Sequence, residues 1–244
     1  MSSSATTRLD LSIVLPALRE EAALEQLLPA LVNEASGLAV PHEIIVVDSQ
    51  ALLDRTADVC RRHAVRHVHR RGGPSYGDAV RTGIGEARGR FVIFMDADGS
   101  HDPRFLPRLW SMRDRADVII GSRYVPGGAT ENPAILILLS FAVNVFFRLV
   151  LGLRCRDVSN SFRLYRAEQL RQLKLQCTNF EIIEEMLIKL CSRPIYARIL
   201  EIPVVFGRRK AGVSKRNLFG FALSYLFTLL KLVWFKLAIR FGRG

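Results

Sequence analysis

Four short apolar runs, at residues 11–15, 44–47, 91–95 and 118–120, alternate with stretches of helical character at 20–34, 54–63, 76–87 and 103–113. A weaker run covers 66–69. Runs this short and apolar suit strands covered on both faces, which carry no polar alternation. Strand–helix alternation over residues 11–120 predicts an α/β fold with a doubly wound sheet. The third run ends abruptly at Asp96-Ala97-Asp98-Gly99, the second at Asp48, and the first passes through Pro16 to Glu20. In an open α/β sheet, ligands bind outside the carboxyl ends of the strands.

Two carboxylates one residue apart can share a hard divalent cation, which keeps coordination positions for substrate phosphates. An acidic pair of this kind is equally common as a solvated loop, so its neighbours decide. Glu20 and Asp48, ending adjacent strands, can accept hydrogen bonds from a nucleotide's base and ribose. Gly72-Gly73-Pro74-Ser75-Tyr76-Gly77-Asp78 is a glycine-bearing turn into a helix and permits close approach of a ligand, as an ordinary turn also would. Arg209 and Lys215 flank a glycine and would clamp a diphosphate.

A net charge of +12 over 244 residues calls for an anionic partner: nucleic acid, an acidic lipid surface or a phosphorylated substrate. With 49% hydrophobic residues, apolar surface remains after a normal core is built. Part of it lies at 134–153, where Ser140, Asn144 and Arg148 fall four apart on one helical stripe. That pattern suits an amphipathic membrane-interface helix with the stripe facing the protein. A spanning helix and a buried core helix are the alternatives. Residues 218–240 form a second apolar segment, interrupted by Lys231 and Lys236 and preceded by Arg208, Arg209, Lys210, Lys215 and Arg216. Basic side chains so placed snorkel to anionic head groups, so a helix lying on the membrane is expected. No nucleic-acid module is recognisable, and lipid is the expected partner. Cys60, Cys155, Cys177 and Cys191 form no Cys-X-X-Cys pair, which argues for free thiols rather than zinc. The first ten residues lack the apolar stretch of a secretory signal, so the chain is expected on the cytosolic side.

The ordered set Asp96-Ala97-Asp98-Gly99-Ser100-His101-Asp102-Pro103, Gly121-Ser122-Arg123-Tyr124, Asp157 to Arg163, and Arg209 to Lys215 resembles the family-2 glycosyltransferases of GT-A fold. Within them it is most similar to the dolichyl/polyprenyl-phosphate mannose synthase group. The resemblance runs from residue 11 to about 215, implying a GT-A domain with a doubly wound mixed sheet over 1–215 and a membrane-associating helix over 216–244. It implies an enzyme using Mg²⁺ or Mn²⁺ to move a hexose from GDP-mannose or UDP-glucose to a polyprenyl or dolichyl phosphate, with inversion, as a peripheral or monotopic protein of the cytosolic membrane face. On the matching positions, Pro16, Glu20 and Asp48 would line the nucleoside pocket. Asp96 would sit by the ribose and diphosphate, sharing the metal site with Asp98, the direct ligand. Arg209 and Lys215 would neutralise the departing diphosphate, and Arg123 and Ser140 would hold the acceptor phosphate.

The chain departs from that pattern in four places. Leu18 and Arg19 replace an aromatic and an asparagine. The segment Asp48 to Thr56 is longer and altered, and Ser100 replaces a glutamine. Leu136 stands where an arginine usually precedes the serine matching Ser140, so either Arg148 or Arg163 compensates or the acceptor differs. An acceptor phosphate needs no general base, whereas a hydroxyl acceptor does. The nearest bases would be Asp157, Glu184 and Glu185, on or before an expected helix at 180–190. Transfer to a lipid or small-molecule hydroxyl is therefore the alternative enzymatic reading, and a non-catalytic nucleotide-sugar binder is the alternative outside enzymes.

Overall fold

The computed structural model describes residues 9–192 and 197–208. The strands are β1 (Leu11–Pro16), β2 (His42–Asp48), β3 (Arg66–His69), β4 (Phe91–Phe94), β5 (Val118–Ser122), β6 (Ala129–Thr130), β7 (Arg163–Arg166), β8 (Ile199–Pro203) and β9 (Val205–Phe206). The α-helices are α1 (Glu21–Gly37), α2 (Thr56–Arg62), α3 (Tyr76–Glu86), α4 (Leu106–Ser111), α5 (Ala134–Leu151), α6 (Ala167–Arg171) and α7 (Ile182–Cys191).

Among the described residues, seven strands form one mixed sheet in the order β3-β2-β1-β4-β7-β5-β8, and β6 pairs separately with β9. Alternate side chains of β1 enter opposite layers, as the two-residue period of a strand requires. Ile13 and Leu15 pack with Leu24, Leu28 and Leu31 of α1 and Leu106 and Leu109 of α4. Val14 joins Val80 and Ile84 of α3 and Ile183 and Leu187 of α7. Helices thus cover both faces, which is why the strands read as continuous apolar runs.

Register places the acids at one edge. Pro16 pairs with Val47 and Val14 with Phe94 in parallel ladders. Asp48 therefore lies one residue past the β1 end, and Asp96 two residues past the last β4 pair. Two local devices secure this edge. Ser75 and Asp78 form a reciprocal capping box that starts α3. Asp54 accepts from the Glu21 and Thr56 amides while Glu21 accepts from the Arg55 amide, so the altered 48–56 segment ties the starts of α1 and α2 together.

β7 is a strand the apolar pattern misses. It lies antiparallel between β4 and β5, and its Arg-Leu-Tyr-Arg sequence hides its burial. The helix expected at 103–113 begins instead as a 3-10 turn at Pro103–Phe105 and becomes α-helical only at Leu106. Pro107 falls in the first turn, where its missing N–H is harmless.

α5 turns its polar stripe inward and its apolar face outward. Asn144 is 1% exposed, whereas Leu138 and Leu149 are 63% and 70% exposed. Among the described residues no helix is long and apolar enough to cross a membrane. The apolar segment 218–240 and the basic residues from Arg209 onward lie outside the described residues.

Candidate active site

The loop after β4 is built around two carboxylates held in different ways. Asp98 Oδ1 accepts from the Ser100 amide and hydroxyl at 3.0 and 2.6 Å, a local Asx turn. Gly99, at φ +78°, supplies the left-handed residue this turn needs. Asp96 is fixed from a distance: its Oδ1 accepts from Ser161 Oγ at 2.8 Å and lies 3.4 Å from Tyr76 Oη.

His101 locks the backbone between them. The Asp96 amide donates to its Nδ1 at 2.9 Å, so the ring hydrogen sits on Nε2, which faces Asn160 Oδ1 at 2.9 Å. Asn160 Nδ2 in turn donates to the Gly121 carbonyl. The ring is 1% exposed and stacks on Phe162 at 5.0 Å. Its Nε2 also lies 4.0 Å from Asp96 Oδ2. With that hydrogen directed at Asn160 and Nδ1 accepting, the geometry is that of a neutral imidazole.

The residues expected to line a nucleoside pocket occupy the same edge. Asp48 is buried, its Oδ1 accepting from the Ser49 amide at 2.7 Å and its Oδ2 lying 3.3 Å from His67 Nε2. Pro16 closes β1, and Glu20, half-buried, stands immediately before α1. Arg70 binds these strand ends together. Almost wholly buried, it donates to the carbonyls of Ala17, Asp48, Pro74 and Ser75. At Gly77 a Cβ would meet the Cys177 carbonyl oxygen at 2.3 Å, so only glycine lets the α3 start approach residues 177–178. Tyr76 then stacks on Phe180 at 4.3 Å.

Of the residues expected to hold an acceptor phosphate, Arg123 forks onto Asp157, donating through Nε and Nη2 at 2.8 and 2.7 Å. Nη2 also donates to Ser159 Oγ at 2.9 Å. Asn144 donates to Ser159 Oγ and to the Ser140 carbonyl, and its Oδ1 accepts from the Val158 and Ser159 amides. Ser140 and Arg123 therefore belong to one network, joined through Asn144 and Ser159. Arg163, one of the two arginines expected to substitute as a phosphate contact, is committed to backbone carbonyls in the core. It is fully buried and donates to the carbonyls of Val158 and Ile183. Arg148 is accessible and lines a cavity beside Tyr124.

The three carboxylates that could serve as a base are each engaged or enclosed. Asp157 is 0% exposed and paired with Arg123. Glu185 accepts from the amides of Gln176 and Cys177 and pairs with Lys189 at 2.7 Å. Burial opposes its charge, but these donors hold it below the usual carboxylate range. Glu184 is sealed in the core. Burial pushes its carboxyl up to about 8, against the pull of Arg163. The four cysteines are free and buried.

A hard divalent cation fits the donor set. Among the described residues no three His, Cys, Asp or Glu side chains converge as a preformed cage, and Asp96 and Asp98 are the carboxylates this loop offers. A cation of the Mg²⁺ type is commonly held by one or two carboxylates with substrate phosphates completing the shell. Arg209 and Lys215 lie outside the described residues. Just before them, the Gly207 amide donates to the Ser100 carbonyl at 2.9 Å, bringing the end of β9 against the acidic loop.

Residues 12–174 match the family model described as Glycosyl transferase family 2, more than half of the chain. The chain belongs to glycosyl transferase family 2. Among family-2 relatives, a dolichol-phosphate mannosyltransferase of Pyrococcus furiosus is 31% identical over 231 residues, covering 90% of this chain. The chain spans 63% of that relative's length. An undecaprenyl-phosphate mannosyltransferase of Micrococcus luteus is 35% identical, covering 73% of this chain and 78% of that one. The fold is also that of glucosyl-3-phosphoglycerate synthase from Mycobacterium tuberculosis, crystallised with Mn²⁺, UDP and glucosyl-3-phosphoglycerate. That structure has a TM-score of 0.68 at 22% identity, covering 92% of this chain and 80% of that one. The same enzyme crystallised with Mg²⁺ and UDP gives 0.69. The expected GT-A architecture of a family-2 transferase is thereby borne out.

His101, Asn160, Ser161 and Arg70 were not singled out by sequence reasoning as site residues. The first three lie inside stretches that carried the resemblance. Their role is invisible locally because each acts on a partner far along the chain.

Proposed function

We propose that this chain is a metal-dependent, inverting glycosyltransferase that moves a hexose, mannose or glucose, from a nucleotide-sugar to a polyprenyl or dolichyl phosphate. The observation that carries this reading is the division of acids. Asp96 and Asp98 stand at the sheet edge, while Asp157, Glu184 and Glu185 are enclosed or ion-paired. Among the described residues these three candidate bases are thus all occupied or enclosed, and a phosphate acceptor, already anionic, needs none. The polyprenyl- and dolichol-phosphate acceptors in the relatives' names support the same substrate class.

In this reading Pro16, Glu20 and Asp48 receive the nucleoside, Asp48 being oriented by His67 and the Ser49 amide. Asp96 and Asp98 would hold Mg²⁺ or Mn²⁺, which when bound supplies electrostatic stabilisation of the leaving diphosphate. Ser161, Tyr76 and His101 fix Asp96 in advance, so little reorganisation accompanies bond breaking. Arg209 and Lys215 add positive charge to the departing group, and Arg123 and Ser140 present the acceptor phosphate. The exposed apolar face of α5 lies in the head-group region of the cytosolic leaflet, with the 216–244 segment as a second contact.

Incubation of the purified protein with radiolabelled GDP-mannose or UDP-glucose and undecaprenyl phosphate, with and without Mn²⁺, tests this reading. An acid-labile labelled lipid that forms only with metal is expected. A base-stable, acid-resistant product would move the acceptor to a hydroxyl, and no labelled lipid from either donor would overturn the proposal.

A further inference from the structure

Beside the acceptor-side network, Tyr124, Asn144, Arg148 and Arg156 line a cavity of about 210 Å³. That is several times the roughly 30 Å³ share of one water, so the space admits a tetrahedral oxyanion. Its chemistry is one-sided. Among the described residues no carboxylate pairs with Arg148 or Arg156. Glu201 lines the adjoining depression, and its two oxygens accept from the Arg156 and Asp157 amides at 2.7 and 2.9 Å. Tyr124 Oη is buried and has no hydrogen-bond partner among the described residues. A buried hydroxyl left unpaired is costly, and a ligand oxygen would satisfy it. Asn144 spends both Nδ2 hydrogens and both Oδ1 acceptor sites on the protein, so it forms a fixed wall. Leu149, next to Arg148, is 70% exposed on the outward face of α5, so an apolar chain can lie alongside the charged cavity.

We propose that this cavity binds a phosphate group carried on a lipid, with Arg148 and Arg156 supplying charge and Tyr124 Oη a hydrogen bond. The site deepens the proposed function, since a phosphate seated here shares Asn144 with the Ser140–Arg123 network. The same chemistry is offered by the acceptor lipid and by an anionic membrane phospholipid.

Co-flotation of the full chain, with no sugar donor present, tests the site. The vesicles are phosphatidylcholine alone, or phosphatidylcholine with a minor fraction of phosphatidylglycerol or of undecaprenyl phosphate. The Arg148→Gln/Arg156→Gln variant should lose about tenfold in binding to phosphate-bearing vesicles, with phosphatidylcholine binding unchanged. Tyr124→Phe should lose about threefold with its charge intact. Arg61→Gln/Arg62→Gln, a charge-matched pair on the exposed face of α2, should lose nothing. Selective loss on undecaprenyl phosphate assigns the site to the acceptor, and equal loss on both lipids assigns it to bulk phospholipid. Either upholds the cavity as a lipid-phosphate site. Equal losses from the α2 pair, or wild-type binding by both cavity variants, would overturn it. Because binding is read without transfer, failure to find a sugar donor would leave this result standing.

Discussion

Ser161 Oγ donates to Asp96 Oδ1 at 2.8 Å across 65 residues of chain. Asp96 follows β4 and Ser161 precedes β7, and these strands are antiparallel neighbours. The insertion of β7 therefore brings the segment 157–161 against Asp96. Ser161 faces Asp96 while Ser159, two residues earlier, meets Arg123 and Asn144. One short segment spans the two halves of the proposed reaction.

Ser161→Ala removes a hydrogen bond to an ionised group, an interaction of about 1.5–3 kcal/mol. Nucleoside diphosphate binding in the presence of Mn²⁺ should weaken by up to roughly tenfold, and the thermal midpoint should fall by only a few degrees, roughly 3–8 °C. Isothermal titration with GDP or UDP reads the first and calorimetry the second. Wild-type affinity would show that Asp96 needs no orienting partner.

Asp98→Asn retains an oxygen that can accept from the Ser100 amide and hydroxyl, so the loop should keep its shape. It loses the negative charge a cation requires. Metal-stimulated transfer should fall by about a hundredfold or more at unchanged stability. A Mn²⁺ titration of activity checks this, and unaltered turnover would remove Asp98 from the metal site.

Glu184 provides a pH signature of the fold. Its carboxyl, pushed up to about 8 by burial, stays protonated in the native state over a range where the unfolded chain ionises. Its contribution to stability is whole below the unfolded value near 4.5 and declines as pH rises toward about 8. Glu184→Gln should therefore be relatively more stable at pH 8 than at pH 5, by a few kcal/mol of differential effect. Denaturant unfolding at both pH values measures it. Parallel curves for variant and wild type would refute the buried neutral carboxyl.

Much of the sheet and its acidic edge is legible in sequence because the physics is local. Buried parallel strands must be apolar on both faces, and the acids that end them must face the ligand edge. The β7 strand is not legible in the same way. Arg163 and Arg166 flank only two non-basic residues, and burial of Arg163 depends on carbonyls of Val158 and Ile183 supplied by distant turns. The links from His101 to Asn160 and from Ser161 to Asp96 are equally hidden, since they join positions 59 and 65 residues apart. On α5 the four-residue spacing of Ser140, Asn144 and Arg148 did mark the inward stripe, because helical periodicity is a local property. What each member touches depends on tertiary packing.

Arg123 and Asp157 form a buried, two-pronged ion pair, at 9% and 0% side-chain exposure. Removing the arginine strands a carboxylate that still accepts from the Arg123 and Asn160 amides but has lost its countercharge. Breaking such a pair costs about 3–5 kcal/mol. For a domain of this size that corresponds to a fall in melting temperature of roughly 10 °C. Loss of transfer in Arg123→Met would then mix a folding defect with any lost phosphate contact. Arg123→Met/Asp157→Leu removes both charges and should recover most of the stability. If Arg123 also holds the acceptor phosphate, the double variant stays deficient, with its defect in the KM for undecaprenyl phosphate rather than for the nucleotide-sugar. Recovery of both stability and acceptor KM would assign Arg123 to the fold alone.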